Sequence, residues 1–438
     1  MISKDLLKEV IIRQKSVFLN TTGAYDRQIL SNNQFKKSLF QTSEIVIITG
    51  VRRAGKSYLM RLIWQDIKNN KKLTNNQVLY FNFEDEKLIS FRAKDFDLLL
   101  ESHLELLEPD ENKDIYLFFD EIQNINGWDK FLNRLRENKK YKIFVTGSNA
   151  TMLSKEISSK LTGRNIQIYL YPFSWYEFLK TQIIDFKEND LYDREKRIKV
   201  FKFFNQYLKF GGFPEVIITK QRFLLQEYLK NIIYRDIVSR YKIKYEMHLR
   251  EIVSFLITNI TNKVSLKNIA KMTGIKNINT IKNYLNYLEN SFLFYSMPMY
   301  SYSIKQQIYN PDKLYICDLG VYNELSFKFS ENKGQILENF VFMELKRKNK
   351  NIYYGEDKKY QEIDFVIIQK NKVCELIQCT CDINNSLTKK MELESLKKAM
   401  DNFKLKKGIV ITYDFDGQEK IKGGVIYFIP AWKYFLMK

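Results

Sequence analysis

Three observations predict an α/β protein built around a parallel sheet that helices cover on both faces. Short apolar segments alternate with amphipathic ones from Ser43 to Thr146. A glycine-rich turn joins the first apolar segment to the first amphipathic one, and the same alternation returns at Lys313 and runs to the C-terminus. Strands that alternate with helices read as βαβ units, whose helices pack on both faces of the sheet. A chain of 438 residues exceeds one ordinary core, so two to four compact units are expected.

Residues 1–40 read as a helical lead-in. The core, residues 41–178, begins with the strand Glu44 to Thr49 (EIVIIT), followed by an amphipathic helix over Tyr58 to Asn69. Strand Gln77 to Phe83, helix Phe96 to Leu107, strand Asp114 to Asp120, helix Trp128 to Asn138 and strand Tyr141 to Thr146 follow in turn. The strands carry the continuous apolar runs that burial on both faces requires. After Tyr171-Pro172-Phe173-Ser174 the alternation stops, and residues 175–260 are mostly helical with one break at Gly211-Gly212-Phe213-Pro214. Ser265 to Met272 and Asn279 to Glu289 read as two helices around Thr273-Gly274-Ile275, and the hydrophobic stretch Phe292 to Pro298 comes next. Helix, turn, helix and strand is the outline of a winged helix. The reading therefore divides the chain into the lead-in, the core, a helical lid over 179–250, a winged helix over 251–310 and a C-terminal α/β domain over 311–438.

Hydrophobic residues make up 45% and charged residues 28% of the chain, a globular profile rather than a disordered one. Every apolar run is soon broken by Asp, Lys or Asn, so no segment is expected to span a bilayer. Met1 to Phe18 alternates charges with isoleucines and lacks a signal-peptide core, so a cytoplasmic protein is expected. The four cysteines, Cys317, Cys374, Cys379 and Cys381, form no CxxC pair, and His103 and His248 are the only histidines. That scarcity argues against a zinc site and against Ser-His or Cys-His nucleophile systems. The net charge of +20 favours a polyanionic partner such as nucleic acid, although scattered lysines also serve simply to solvate a surface.

GVRRAGKS, residues 50–57, fits GxxxxGK[ST] between a buried strand and a helix, the context a phosphate-binding loop requires. Gly50 and Gly55 let the backbone curl so that its N–H groups, with the positive helix N-terminus, face phosphate oxygens. Lys56 can reach the β- and γ-phosphates of ATP, and the Ser57 hydroxyl can ligate Mg²⁺. The nucleotide-contact set is therefore Gly50, Val51, Arg52, Arg53, Ala54, Gly55, Lys56, Ser57 and Tyr58. YLFFDEIQ, residues 116–123, places Asp120 at the carboxyl end of a buried strand, where it can hold Mg²⁺ directly or through water. Glu121 follows and can polarise the attacking water, general-base work that binding alone does not need; an ordinary acid at a helix N-terminus is the competing role. Ser148 and Asn149, just past the strand YKIFVT, are candidates either for sensing the γ-phosphate or for capping the next helix.

The chain resembles the prokaryotic AAA-type ATPases, relatives of the archaeal ATPase and STAND groups, that carry a C-terminal domain of uncharacterised function. The matching segments are GVRRAGKS, FNFEDE (81–86), DEIQNINGW (120–128), TGSNATML (146–153), LTGR (161–164), YPFSWYEF (171–178), GGFPE (211–215) and YRDIVSRY (234–241). GQILENFVFMEL (334–345), EIDFVI (362–367) and IPAWKYFL (429–436) extend the match to nearly the whole chain. The resemblance implies a P-loop NTPase core, a helical and winged-helix middle, and a restriction-endonuclease-like C-terminal domain. It also implies that Arg164 of LTGR is an arginine finger or trans-acting sensor, since a guanidinium stabilises charge on a phosphoryl group in transit. A structural salt bridge is the alternative for Arg164, and Arg53 is a weaker candidate for the same neighbourhood. If Arg164 acts in trans, hydrolysis requires a homo-oligomer.

Asn279, Thr280, Lys282 and Asn283 of the helix NTIKNYLNYLE are offered for DNA contact, with Leu285, Tyr287 and Leu288 expected to pack inward. The nuclease-like reading expects a helix glutamate, a strand aspartate and an ExK pair. Glu338 and Asp364 fill the first two places, but VCELIQC, residues 373–379, departs from the third. Strand side chains alternate faces, so Glu375 and Gln378 point opposite ways. Either alignment loses a carboxylate or a lysine, which points to an inactive or weakened nuclease fold. Three functions follow: an ATPase that couples hydrolysis to DNA or a DNA-bound partner, a STAND-like switch with slow turnover, and an ATP-dependent nuclease. Glu121 favours turnover over a pure switch, and the damaged VCELIQC disfavours the nuclease.

Overall fold

The strand IVIIT can be apolar throughout because helices cover both of its faces. It forms β1 (Ile45–Thr49), and each of its residues is buried. In this computed structural model, which describes residues 2–20, 25–149, 165–183, 186–326, 332–357, 361–381 and 386–437, the chain divides into two compact units. Residues 1–171 with 290–292 form the first, and 172–289 with 293–438 form the second.

In the first unit, β1 joins β2 (Val78–Asn82), β3 (Ile115–Asp120), β4 (Tyr141–Gly147) and β5 (Asn165–Tyr169) in one sheet of order β2-β3-β4-β1-β5. All four pairings are parallel, with registers such as Ile47↔Val145 and Phe118↔Phe144. Alternation of side chains sends Ile45, Ile47, Leu117 and Phe119 into one core and Val46, Ile48, Tyr116 and Phe118 into the other. The first core is closed by α1 (Lys4–Leu19), α4 (Phe96–Leu107) and α5 (Trp128–Glu137), and the second by α2 (Asn33–Gln41) and α3 (Lys56–Lys71). Each fully buried Leu, Ile or Phe contributes about 1.5–3 kcal/mol, so two such cores dominate the stability of this unit.

The N-terminal helix does more than cover apolar surface. Strand β2 lies at the sheet edge, and the Gln14 side chain satisfies its exposed backbone: Asn82 N–H donates to Gln14 Oε1 (2.7 Å) and Gln14 Nε2 donates to Asn82 O (3.2 Å). A side-chain amide thus stands where a further strand would pair. Phe18 stacks on Tyr80 of β2 with ring centroids 4.3 Å apart.

The second unit begins with helices α6 (Trp175–Gln182), α7 (Arg194–Phe210), α8 (Pro214–Thr219) and α9 (Leu224–Asn231), the last continuing as a π-helix over Ile232–Ser239. Three helices follow, α10 (Glu246–Thr258), α11 (Leu266–Thr273) and α12 (Ile278–Asn290), and then an antiparallel hairpin of β6 (Phe294–Met297) and β7 (Lys313–Ile316). Lys263, between α10 and α11, forms an isolated antiparallel β-bridge with Lys313. On α12 the buried residues are Ile281, Tyr284 and Leu288; Leu285 is only half-buried, and Tyr287 instead stacks on Tyr241 at 3.7 Å. The helical period places positions 281, 284 and 288 on one stripe, which positions 285 and 287 flank.

A short helix α13 (Ile304–Tyr309) lies inside the hairpin, and α14 (Leu319–Leu325) and α15 (Lys333–Arg347) follow it. The unit ends in a mixed sheet of order β12-β13-β11-β10-β9-β8. Its strands are β8 (Asn351–Asp357), β9 (Gln361–Gln369), β10 (Lys372–Thr380), β11 (Lys407–Thr412), β12 (Gly417–Ile421) and β13 (Gly424–Pro430). Helix α16 (Ser386–Phe403) covers one face through Leu393, Leu396, Ala399 and Met400. Among the described residues no helix is long and apolar enough to cross a membrane.

His103 on α4 is 1% exposed, and neither ring nitrogen finds a hydrogen-bond partner among the described residues. Burial, with a smaller contribution from the Lys15 charge, pushes its pKa from 6.5 down to about 4. Because the folded pKa lies below the unfolded one, the neutral ring contributes its stability in full above pH 6.5 and loses it as pH falls towards 4. The loss reaches about 3 kcal/mol at 1.36 kcal/mol per unit. Urea unfolding at pH 7 and pH 4.5 should show wild type losing about 2–3 kcal/mol more than His103→Leu over that range. Identical pH dependence of the two proteins contradicts a buried neutral imidazole.

Candidate functional site

The carboxyl ends of β1, β3 and β4 converge on the loop 50–57. Gly50 has φ 153°, and a Cβ there would sit 1.9 Å from the carbonyl oxygen of Leu170, so only glycine lets the loop leave β1 along this path. Gly55, at φ 96°, caps the N-terminus of α3, and Arg53 also adopts a positive φ of 69°. The loop thus runs directly into a helix whose first N–H groups lack intrahelical partners. Its outer side is braced by the lead-in: Arg27 Nη1 donates to Ala54 O (3.0 Å) and Arg27 Nη2 to Tyr171 O (2.7 Å).

Lys56 is 5% exposed, and its Nζ lies 3.1 Å from Gly50 O and 3.6 Å from Glu121 Oε1. Val51 and Ala54 are buried beneath the loop; Arg53 is exposed, and Arg52 pairs with Glu84 at 2.8 Å. The Tyr58 hydroxyl is buried and has no hydrogen-bond partner among the described residues.

Asp120 ends β3 with its carboxylate held by hydroxyl groups. Tyr80 OH donates to Oδ2 at 2.7 Å, the Thr146 hydroxyl donates to Oδ1, and the nearby Ser57 hydroxyl also favours the ionised carboxylate. Burial and the adjacent Glu121 charge push the Asp120 carboxyl above its ordinary range, and the three hydroxyls offset part of that rise. Ser57 and Asp120 therefore bring two oxygen donors together in a buried, acidic setting, which fits a hard divalent cation.

Glu121 adopts φ 52°, a strained conformation for a non-glycine residue, and its N–H donates to Thr146 Oγ1 at 2.9 Å. Burial pushes the Glu121 carboxyl up. The Lys56 ammonium, the Gln123 amide, the Arg52 guanidinium and the Ser148 hydroxyl outweigh burial and hold the carboxyl below its ordinary range. Ser148 thus reaches Glu121, and Asn149 is buried beside it in sequence. Arg164 lies outside the described residues.

Sequence reasoning passed over Tyr80, Thr146 and Gln123, which hold the two acids. Tyr80 and Thr146 look like ordinary strand residues, and only the pairing of β2 and β4 with β3 puts their hydroxyls against Asp120. The position of Thr146 at the end of β4 was the one available signal.

In the second unit the residues selected for nuclease chemistry separate. Glu338 and Asp364 do come together, but through Lys313, whose Nζ lies 3.0 and 3.5 Å from them. Gln378 joins this cluster by accepting from Asp364 N–H at 3.1 Å. Glu375 faces elsewhere, between Lys350 Nζ (2.5 Å) and Tyr434 OH (2.8 Å). Lys313 and Glu362 were not anticipated as members of the cluster.

A parallel sheet with a glycine-rich phosphate loop after β1 and an acid pair after β3 defines a P-loop nucleotide-binding domain. A family model described as an AAA domain matches residues 42–179, and two domains of unknown function match 202–332 and 333–434. An uncharacterised protein of Methanocaldococcus jannaschii is 37% identical over 460 residues, covering 100% of this chain and 96% of the relative. One of Haemophilus influenzae is 30% identical over 418 residues, covering 93% and 99% respectively. The chain belongs to the family of these two proteins. Among solved structures, the Aeropyrum pernix ORC1 protein in complex with DNA is similar at 13% identity and a TM-score of 0.30, covering 71% of this chain and 95% of that one.

Thr146 serves both acids at once, so Thr146→Val should lower the unfolding free energy of the first unit by about 1–3 kcal/mol. Tyr80→Phe, which removes a single hydrogen bond, should cost about 1 kcal/mol, and Thr146→Ser should restore most of the loss. Urea unfolding of the three variants measures this, and equal stability of Thr146→Val and wild type would show the network to be energetically idle.

Proposed function

We propose that the chain is an ATPase that hydrolyses Mg-ATP at the loop 50–57 and couples the cycle to DNA or a DNA-bound partner. The observation that carries the proposal is Glu121, a buried carboxylate one residue beyond Asp120 and 3.6 Å from the Lys56 ammonium. Binding phosphate needs the loop, the lysine and a metal-holding acid. A second acid, kept ionised by its neighbours, adds a base that can take a proton from water.

In this reading the loop N–H groups and Lys56 hold the phosphates, with Gly50, Val51, Arg52, Arg53, Ala54, Gly55 and Tyr58 around them. Ser57 and Asp120 would hold Mg²⁺, which supplies charge neutralisation on the phosphate oxygens. Glu121 orients and deprotonates the attacking water, and Ser148 and Gln123 keep its carboxylate in place. Ser148 and Asn149 remain the proposed γ-phosphate sensors. Arg164 is proposed to complete the site from a neighbouring subunit.

The second unit is proposed to comprise a helical lid (179–250), a winged helix (251–310) and a nuclease-like domain (311–438). Three helices, the Lys263 bridge and the β6–β7 hairpin support the winged-helix reading, and the hairpin carries its wing past residue 310 to Ile316. Asn279, Lys282 and Asn283 are exposed on α12, away from its apolar stripe, and the chain carries a net charge of +20. Both observations support DNA contact through phosphates.

Lys56→Ala should abolish ATP binding, whereas Glu121→Gln should bind ATP normally and hydrolyse it about 10²–10⁴-fold more slowly. Wild-type turnover in Glu121→Gln, measured by phosphate release, rules this mechanism out. Mixing Lys56→Ala with Arg164→Ala protein should recover part of the rate if the arginine acts across a subunit boundary, and no recovery at assembling concentrations counts against it. For DNA, fluorescence anisotropy should give a duplex affinity that falls steeply with salt, and Lys282→Ala should reduce that slope by about 1. An unchanged slope removes α12 from the interface.

A further inference from the structure

We infer that the acidic cluster of the C-terminal sheet holds a lysine ammonium where a nuclease would hold a divalent cation, making it a metal-free clamp on the β6–β7 hairpin. Lys313 of β7 extends into the space between α15 and β9. Its Nζ lies 3.0 Å from Glu338 Oε1, 2.7 Å from Glu362 Oε1 and 3.5 Å from Asp364 Oδ1. The side chain is 5% exposed, so this ammonium is a fixed internal cation rather than a surface lysine at rest.

Two of the three remaining oxygens are engaged as well. Asp364 Oδ2 accepts from Cys379 N–H at 2.8 Å, and Glu362 Oε2 accepts from Lys263 Nζ at 2.9 Å. Tyr315 OH donates to Glu338 Oε1 at 2.8 Å. Burial and the neighbouring Asp364 push the Glu338 carboxyl up to about 7. The Lys313 ammonium thus already supplies these carboxylates with a positive charge without a metal. A bound Mg²⁺ requires deprotonated oxygens arranged octahedrally at roughly 2.0–2.1 Å, and no such set is free here. Among the described residues no group of three or more His, Cys, Asp or Glu is disposed to hold a metal. Gln378, which one of the two alignments puts in the lysine position, contributes a carbonyl to Asp364 N–H and no charge.

The same contacts fasten the hairpin. The Asn339 side chain of α15 pairs with both backbone groups of Ile316, at 2.9 and 3.1 Å, and Tyr315 stacks on Phe342 at 3.9 Å. Lys263 adds a second strut through Glu356 at 2.8 Å and Glu362. The wing of the proposed winged helix and the nuclease-like sheet are therefore joined by the ion pairs of the buried Lys313 ammonium, which a metal would have to displace.

The inference uses the nuclease-like reading only for the expectation of a metal, and it is independent of the ATPase. The test is Mn²⁺ titration of the full chain by calorimetry, comparing wild type, Asp364→Asn, Lys313→Met and Lys313→Met with Asp364→Asn. Wild type and Asp364→Asn should take up equal Mn²⁺, which subtracts any ion bound at Asp120. Lys313→Met should gain one site per chain that the double variant loses. An Asp364-dependent Mn²⁺ site in wild type overturns the inference, as does a folded Lys313→Met protein that gains none. The wild-type comparison decides alone if Lys313→Met does not fold. Supercoiled DNA is incubated with the same proteins. Wild-type cleavage lost in Asp364→Asn overturns the reading of an inactive nuclease as well, whereas Mn²⁺ uptake without cleavage overturns only the clamp.

Discussion

A parallel sheet buried on both faces has one kind of place for chemistry, the carboxyl ends of its strands. Every residue of β1 and β3 is buried, so polar groups are tolerated only where those strands finish. Thr49, Asp120 and Thr146 all stand at such ends, and the loop 50–57 leaves from the same edge. The placement of β4 between β1 and β3 then sets the spacing between the phosphate loop and the acids. It also puts the Thr146 hydroxyl within reach of both Asp120 and the backbone of Glu121. The burial that stabilises the unit is thus also what raises the electrostatic stakes at its edge, because a carboxylate there needs each of its hydrogen bonds.

The two acids of this site differ in how they are kept. Burial and the Glu121 charge push Asp120 above its ordinary range against the pull of its neutral hydroxyls, while two cations, an amide and a hydroxyl hold Glu121 below its own. Two adjacent carboxylates with environments that pull in opposite directions can take different roles, one in holding a cation and one in accepting a proton. In the second unit the same elements, buried carboxylates near a sheet edge, lead to the opposite result. There a lysine from a neighbouring hairpin supplies the cation internally, and the cluster becomes a structural joint.

The elements legible in the sequence are those in which local pattern and tertiary demand agree. The apolar runs EIVIIT and YLFFD had to be strands buried on both faces, and their ends in the structure differ from the expected ones by a residue at most. The glycines of GVRRAGKS were legible because a close backbone approach excludes any side chain, as the position of Leu170 O beside Gly50 shows. Less legible was α12, where Tyr284 rather than Tyr287 enters the core, since two tyrosines three apart offer the helix a choice that only its neighbours resolve. Gln14, a polar residue in an amphipathic helix, gave no sign that it completes a sheet edge.

By itself the sequence determined the phosphate loop, the acid pair that follows β3 and the α/β character of both ends, because each depends on residues close together in the chain. Only the tertiary structure decided what surrounds those acids. Tyr80 is 40 residues from Asp120, and Thr146 is 26 residues away. Their hydroxyls meet the carboxylate because strand order, a long-range property, makes neighbours of β2, β3 and β4. The same holds for Lys313, which lies 25 residues before Glu338 and gained its meaning only when β7 was laid against α15 and β9. A motif records the backbone path around a ligand; the charge state and company of its acids are set by whatever the fold packs against them.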